Sequence, residues 1–370
     1  MNLDLPTRRR ATERNFNTKP EVVRKWVDSL PLINTEKSRV MLDEVLTEIN
    51  SLNIPTQNRH ETLESLATSV ICVTEALKKS FLARPIPLRD NDLLLARQAV
   101  QLCNQMAAGY RILADAAGKH DRQTALLTLA IHRALRYLSE LLLTNYQIYT
   151  QYPDGLWKTI NSLYALAEQH DITAHPVTDS TLPTAPQSTI NTVYKQILLM
   201  SLACPYRLRQ KEIHFVYNAL MDWADITRLH HMDSDHTDGL FAVNLNADNP
   251  PSYRTLIKSE QHGMQWRVLD TTSMAERIRS ILEQQPGERH KIGIGDGNIL
   301  QRLMLAWGVM PKRRFPRYAR SAKVALVAGL NVVHQHIAQP AIETESWENS
   351  IADQHYLQDP TFEATTTINT

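Results

Sequence analysis

Over residues 19–229 of this 370-residue chain, apolar residues recur at a helical spacing, and this pattern limits the possible folds more than any other. Apolar side chains recur three or four positions apart there, as at Leu42, Val45, Leu46 and Ile49. Such spacing places them along one face of a helix. Glycine and alternating β patterns are nearly absent from the region. The simplest prediction is therefore a bundle or a solenoid of antiparallel helices.

Changes in composition predict the limits of this helical domain. Residues 1–18 are polar and are expected to be flexible, and a Pro-, Thr- and Ser-rich stretch at 172–188 is expected to be a linker. Residues 189–231 predict two further helices, broken at Pro205. The basic residues after this break, Arg207, Arg209 and Lys211, are interpreted as a solvated helix start.

The pattern changes after residue 229, and a small α+β region is predicted for residues 230–310. The runs GLFAVNL and QWRVLDT have the composition of strands. Ser273 and Glu276 form a capping box that predicts a helix over 274–284. The run NILQRLMLAWG, further along, predicts a short helix.

The charge balance excludes a general nucleic-acid or membrane-surface role. Forty Lys and Arg residues balance thirty-nine Asp and Glu residues, so DNA or RNA is not an expected partner. No apolar run reaches the roughly eighteen residues of a membrane-spanning helix, and the N-terminus lacks the apolar core of a secretion signal. We therefore predict a cytoplasmic location.

The three cysteines do not form a redox or metal motif. Cys72, Cys103 and Cys204 are far apart and form no CxxC pair, which disfavours a disulfide framework and a zinc finger. Each lies among apolar residues, so three buried thiols are predicted.

Two polar stretches have ligand-binding residue types without a matching motif. The spacing of the possible metal ligands in LHHMDSDHTDG is typical of no metal site, so a polar loop is the simpler interpretation. These possible ligands are His230, His231, Asp233, Asp235, His236 and Asp238. The run GIGDGN has Asn298 at the position where the fingerprint G-x-G-x-x-G has its last glycine. A helix cap at Asp296 or Asn298 is the simpler interpretation. Neither G-x-S-x-G nor HExxH occurs. We predict no enzymatic activity, no catalytic residues, no metal and no cofactor.

The strongest local feature is the basic stretch PKRRFPRYARSAK, which begins at residue 311 and contains no acidic residue. The apolar, β-branched run 324–327 follows it and predicts a strand. Pro316 stiffens the backbone between Arg313 and Arg317. Guanidinium groups bind phosphate oxygens or the O6/N7 edge of guanine, and they stack on purines. Several arginines in a short loop suit a compact anionic ligand that presents both groups.

R-x-x-x-R ahead of a strand resembles the first ligand motif of the PilZ family of bacterial cyclic di-GMP receptors, with Arg313, Arg314 and Arg317 in its positions. Other stretches resemble a bacterial family in which a long helical N-terminal region precedes a PilZ domain. These stretches are WVDSLPLINTEKSRVMLDEVLTEINSLNI, CPYRLRQKEI, and AWGVMPKRRFPR followed by VALVAGLNVVH. The resemblance covers most of the chain.

The resemblance implies a non-enzymatic signalling protein that binds cyclic di-GMP through Arg313, Arg314 and Arg317. It also implies a role in pilus- or flagellum-based motility, surface attachment and biofilm formation. A protein partner of the helical region, drawn from the motility machinery, is expected. The fold class expected is mainly α: a helical bundle or solenoid, a small α+β element, and then a partial or truncated PilZ-like β-barrel start at 311–339.

The second PilZ motif, D/N-x-S-x-x-G, is not found in the chain. Three explanations stay open: the chain stops inside the barrel, the domain is degenerate, or the arginine match is a chance one. Residues 340–370 contain six acids and no Lys or Arg, so a disordered tail is predicted. The alternative function is a helical scaffold for protein–protein interactions, with a degenerate PilZ-like segment that binds no nucleotide.

Overall fold

The computed structural model describes residues 5–10, 16–178, 187–232, 239–257, 263–283, 297–308, 324–327, 334 and 366–369. The chain divides into two compact units, Met1–Met310 and Pro311–Thr370.

Helices dominate the first unit, as the apolar spacing predicts. Within the ranges described, they are α1 (Pro20–Asp28), α2 (Thr35–Ser51), α3 (Thr56–Leu82), α4 (Asp90–Ala117), α5 (Thr124–Gln147), α6 (Leu156–Gln169), α7 (Ile190–Leu202), α8 (Gln210–Trp223), α9 (Thr272–Glu283) and α10 (Gly297–Trp307). None of these helices combines the length and the apolarity that crossing a membrane requires.

Helix α5 lies at the centre of the helical region. It packs against α4, α6, α7 and α8, and every residue from Ala130 to Gln147 except Arg136 and Glu140 is buried. A helix that is buried around nearly its whole circumference must be surrounded by other elements. In a solenoid each unit contacts only its neighbours, so this arrangement is a bundle.

The strands are short, and most of them pair with strands distant in sequence. They are β1 (Arg9–Arg10), β2 (Leu52–Asn53), β3 (Pro176–Thr178), β4 (Gln187–Thr189), β5 (Arg228–His231), β6 (Phe241–Asn244), β7 (Ser252–Tyr253), β8 (Trp266–Asp270), β9 (Val324–Val327) and β10 (Thr366–Asn369). β1 pairs with β2 in parallel, and β3 pairs with β4 in an antiparallel hairpin. That hairpin occupies both ends of the predicted 172–188 linker, and residues 179–186 lie outside the described ranges.

A four-stranded antiparallel sheet in the order β5-β8-β6-β7 forms the β part of the α+β region. The predicted strands GLFAVNL and QWRVLDT are confirmed as β6 and β8, and the predicted helix after them is α9. The prediction of helix as far as 231 is wrong, because α8 ends at Trp223 and residues 228–231 form β5. β5 pairs with β8, whose residues lie far along the sequence, and local periodicity carries no information about such a partner.

The sheet and the helices share one hydrophobic core. Phe241, Val243 and Leu269 point from the sheet into the same cluster as the buried residues of the bundle. On the opposite face, Ala242 and Val268 form a small second cluster with Met232. The predicted small α+β region therefore packs against the helical region through a continuous apolar interior.

The prediction of three buried thiols is confirmed only for Cys103. Cys72 and Cys204 are exposed. Burial, with the Glu140 carboxylate nearby, raises the pKa of the Cys103 thiol to about 12, so this thiol stays protonated. Cys72 precedes the buried Val73 and Thr74 on α3 and lies on the opposite, solvent-facing side. Apolar neighbours in sequence do not bury a helical residue that lies outside the apolar face.

A buried lysine joins α3 to α5. The Nζ atom of Lys78 donates to Glu75 Oε1 at 2.9 Å and to Glu140 Oε2 at 2.9 Å. Burial acts to raise the pKa of the Glu140 carboxyl, but the Lys78 ammonium outweighs it and holds that pKa below its ordinary value.

We expect this ion pair to make the protein less stable in acid. A carboxyl whose pKa is lowered in the folded state adds stability above its unfolded pKa, about 4.3, and loses it as the pH falls through the folded pKa. We expect the free energy of unfolding, measured with urea between pH 7 and pH 3, to decrease once the pH is lower than about 4.3. In the double variant Lys78→Met/Glu140→Met this free energy should decrease less steeply with falling pH. Equal slopes for the two proteins would contradict this account.

Candidate functional site

The three predicted ligand-binding arginines, Arg313, Arg314 and Arg317, lie outside the described residues. The structure describes the elements that border them. Helix α10 ends at Trp307, and strand β9 begins at Val324. In sequence, the arginine segment lies between α10 and β9, and its assignment as a ligand site stays a prediction.

The helix before the arginine segment is anchored by a tryptophan. Trp307 is completely buried, and its indole Nε1 donates to the carbonyl oxygen of Leu199 in α7 at 3.0 Å. Its own carbonyl oxygen accepts from Thr271 Oγ1 at 2.6 Å. Leu300 and Leu303 bury the same face of α10. The last turn of α10 is thus held against α7 and the residue that precedes α9.

The strand after the arginine segment confirms the sequence prediction for residues 324–327. β9 pairs in parallel with β10, with Val324 opposite Thr366 and Val327 opposite Asn369. β10 lies within the predicted 340–370 tail. Residues 340–365 and 370 lie outside the described ranges, so disorder there stays a prediction.

The basic residues after Pro205 are exposed, as their interpretation as a solvated helix start implies. Arg207, Arg209 and Lys211 all face solvent. Arg302 from α10 approaches them, because its guanidinium contacts Glu212 Oε2 at 2.9 Å and donates to the Arg207 carbonyl oxygen at 3.1 Å. Glu212 Oε2 also accepts from the backbone N–H of Arg209 at 2.7 Å. We name Arg207, Arg209, Lys211 and Arg302 the basic cluster.

The possible metal ligands of the histidine-rich stretch are only partly described. His230 and His231 lie on β5, opposite Val268 and Arg267 of β8, so a strand replaces part of the predicted loop. Residues 233–238 lie outside the described ranges. Among the residues that the structure describes, no group of three His, Cys, Asp or Glu side chains could hold a metal ion.

Sequence reasoning missed a set of polar contacts between α6 and the sheet region. Asp248, in the loop after β6, accepts from the N–H groups of Gly155 at 2.6 Å and Lys158 at 2.9 Å. Asn161, fully buried within α6, donates to the carbonyl oxygens of Ala247 at 2.9 Å and Asn244 at 3.2 Å. Helix α6 is thus attached to the loop at its start and at its middle.

The far end of α6 is attached to strand β8. Arg267 makes two parallel bonds to the Glu168 carboxylate, Nε to Oε1 at 2.8 Å and Nη2 to Oε2 at 2.6 Å. Such a bidentate pair is stronger and more directional than a single ion pair. We name Asp248, Asn161, Glu168 and Arg267 the α6 clasp.

A tyrosine pair supports the clasp from the bundle side. The rings of Tyr164 and Tyr194 stack with centroids 4.0 Å apart, and the Tyr194 hydroxyl donates to Asn161 Oδ1 at 2.8 Å. Burial raises the pKa of both phenols above their ordinary value. Both therefore stay neutral, and the Asn161 amide has partners for its oxygen and its nitrogen.

Only one signal in the sequence pointed to the clasp. Asn161 lies on the strongly apolar helix LWKTINSLYALA, where a buried amide needs partners for its donor and acceptor groups. Those partners lie more than eighty residues later in the chain. Their identity follows only from the tertiary structure.

Comparison with known protein families gives two matches that together cover most of the chain. Residues 21–235 match the family described as "Cyclic-di-GMP receptor FimW, N-terminal domain". Residues 240–367 match "Cyclic-di-GMP receptor FimW, middle PilZ domain". The second range contains the arginine segment, and the boundary between the two ranges falls between β5 and β6.

A curated relative is similar over nearly the whole chain. The cyclic-di-GMP receptor FimW of Pseudomonas aeruginosa PAO1 is 28% identical over 348 residues, which are 91% of this chain and 56% of the relative. The chain therefore spans little more than half the length of that protein. No solved structure matches the chain.

Proposed function

Because the chain belongs to the FimW family of cyclic di-GMP receptors, we propose that it binds cyclic di-GMP and acts as a non-enzymatic signalling effector. One observation carries the proposal. Arg313, Arg314 and Arg317 fall inside the range matched by the middle PilZ domain and lie in the sequence between α10 and β9. In this assignment their guanidinium groups bind the phosphates and guanines of the ligand.

We expect the double variant Arg313→Ala/Arg317→Ala to lose cyclic di-GMP affinity by at least about 100-fold. Hydrogen bonds to charged groups contribute about 1.5–3 kcal/mol each, and two lost arginines exceed the 2.8 kcal/mol that corresponds to this factor. Isothermal titration of cyclic di-GMP into the full 370-residue chain measures the affinity. Circular dichroism shows whether the variant stays folded.

The matched control removes two exposed arginines of the basic cluster, Arg207→Ala/Arg209→Ala. It changes the net charge by the same amount and should leave the affinity within about twofold. An equal loss in both variants would indicate a general electrostatic effect in place of a site at the arginine segment. Absence of binding to the unchanged chain would favour the scaffold function.

The cellular role follows as part of the same proposal. The protein acts in the cytoplasm and regulates pilus- or flagellum-based motility and surface attachment through a protein partner of the helical region. The exposed members of the basic cluster, Arg207, Arg209 and Lys211, support such a partner, because Arg is enriched where protein surfaces bind one another. An acidic partner surface is the complement it requires.

A further inference from the structure

The segment that joins α7 to α8 presents positive charge without an acidic partner. Its run CPYRLRQK contains three basic residues and no acidic one. All three, Arg207, Arg209 and Lys211, are exposed. Within the described part of the chain, no carboxylate forms an ion pair with any of them. Three cationic side chains are therefore available to an anionic group from outside the chain.

The acidic residue that follows this run, Glu212, is already engaged. Its Oε2 atom contacts the Arg302 guanidinium at 2.9 Å and accepts from the backbone N–H of Arg209 at 2.7 Å. Arg302 therefore offsets the charge of Glu212. The charge of the three exposed basic residues is left uncancelled at this surface.

Side chains from elsewhere in the bundle hold the backbone between the two arginines. The hydroxyl of Tyr149, two residues after α5, donates to the Leu208 carbonyl oxygen at 2.6 Å. Arg302 of α10 donates to the Arg207 carbonyl oxygen at 3.1 Å. Leu208 is buried while its neighbours on both sides are exposed. A surface whose backbone is held in this way loses little conformational freedom when it binds a partner.

An exposed tyrosine lies next to these arginines in the chain. Tyr206 is 48% exposed, although its hydroxyl donates to the Thr150 carbonyl oxygen at 3.0 Å. Its ring also makes an edge contact with the ring of Tyr146, with centroids 5.4 Å apart. Tyr and Arg are among the residues that contribute most to the energy of protein interfaces. Tyr206 therefore adds a held aromatic surface to the exposed charges.

We propose that Tyr206, Arg207, Arg209 and Lys211 form a docking site for an acidic protein segment that also carries an aromatic side chain. This inference rests on the proposed protein partner of the helical region and states its chemistry. Guanidinium groups bind carboxylates through two parallel hydrogen bonds, and Tyr206 contacts the aromatic side chain. An anionic membrane fits less well, because membrane-binding clusters contain about four to eight Lys and Arg residues.

Fluorescence anisotropy of the full chain with a short labelled peptide of Glu, Asp and Phe tests the docking site. The matched peptide with Gln and Asn in place of the acids should bind at least about tenfold more weakly, the effect of losing one charge-assisted hydrogen bond. Arg207→Ala/Arg209→Ala should raise the dissociation constant of the acidic peptide by at least the same factor. It should also reduce the dependence of binding on salt concentration.

The matched control is Arg277→Ala/Arg279→Ala, which removes two exposed arginines of α9. It changes the net charge by the same amount and should leave the affinity for the peptide within about twofold. Tyr149→Phe keeps every charge but removes the hydroxyl that holds the Leu208 carbonyl. It should weaken binding about threefold with unchanged salt dependence. An equal loss in both double variants would show a general charge effect and overturn the docking site.

The remaining outcomes separate docking from nucleotide binding. Equal affinity for the acidic and the amide peptide overturns the docking site, and cyclic di-GMP titrated into the same protein tests the receptor function independently. Binding to phosphatidylserine vesicles that Arg207→Ala/Arg209→Ala abolishes, without binding of the peptide, assigns the surface to a membrane and overturns the proposal. Binding of the acidic peptide without binding of cyclic di-GMP supports the docking site and overturns the receptor function.

Discussion

Alanine in place of Trp307 is expected to lower the free energy of unfolding by about 3–5 kcal/mol, the usual cost of truncating a fully buried aromatic side chain. Trp307 is completely buried in the common core. Its ring fills space between α7, α9 and α10, and the cavity left by alanine cannot close without moving one of them. Urea unfolding followed by far-UV circular dichroism measures the change.

Two variants separate the volume of Trp307 from its hydrogen bond. Trp307→Phe keeps most of the ring and removes the bond to the Leu199 carbonyl oxygen, which still accepts from the Ala203 N–H at 3.0 Å. Its cost should be only about 0.5–1.5 kcal/mol. Leu305→Ala, on the same helix but 59% exposed, should cost less than about 0.5 kcal/mol. A similar cost for Leu305→Ala and Trp307→Ala would refute the anchor role.

Removal of the Lys78 ammonium is the second large effect that we expect. Lys78→Ala should lower the free energy of unfolding by about 3 kcal/mol, near the lower end of the 3–5 kcal/mol for breaking a buried ion pair. The lower end applies because the Glu140 side chain is 28% exposed to solvent. Water therefore partly compensates the charge that Lys78→Ala leaves unpaired. Urea unfolding at pH 7 measures the effect.

The double variant Lys78→Met/Glu140→Met shows whether the loss comes from the unpaired charge. It removes both charged groups, and replacement of a buried pair by apolar side chains is often neutral or stabilising. The free energy of unfolding of the double variant should therefore be closer to that of the unchanged chain than the value for Lys78→Ala is. Glu75→Ala removes the other partner, which is 50% exposed, and should cost less than about 1 kcal/mol. If the double variant loses more free energy of unfolding than Lys78→Ala, the loss comes from altered packing and not from an unpaired charge.

The sequence predicted the helical region because helix formation leaves a local signature. Apolar residues at a spacing of three and four must lie on one side of a helix, and α2 buries Leu42, Val45, Leu46 and Ile49 on its inner face. The strands β6 and β8 were predictable for the same reason, since their apolar and β-branched residues are adjacent in sequence.

The same local reasoning failed where the partner was distant. Residues 228–231 were predicted as the end of a helix, yet they form β5 because they pair with the edge of β8 that β6 leaves open. Cys72 and Cys204 have apolar neighbours, yet both are exposed. Burial depends on which face of an element meets the core, and the composition of a short stretch does not report that face.

The mainly helical fold, the strands β6 and β8 and the R-x-x-x-R segment at Arg313 and Arg317 could be predicted, because each is encoded by residues close together in the chain. Contacts between distant residues place the other helices around α5, anchor α10 through Trp307 and bring Asp248 to the start of α6. Such contacts form because buried hydrogen-bond donors and acceptors need partners in space. The Gly155 N–H and the Asp248 carboxylate are hydrogen-bonded although more than ninety residues separate them in sequence. At that separation, periodicity and propensity carry no information about the pairing.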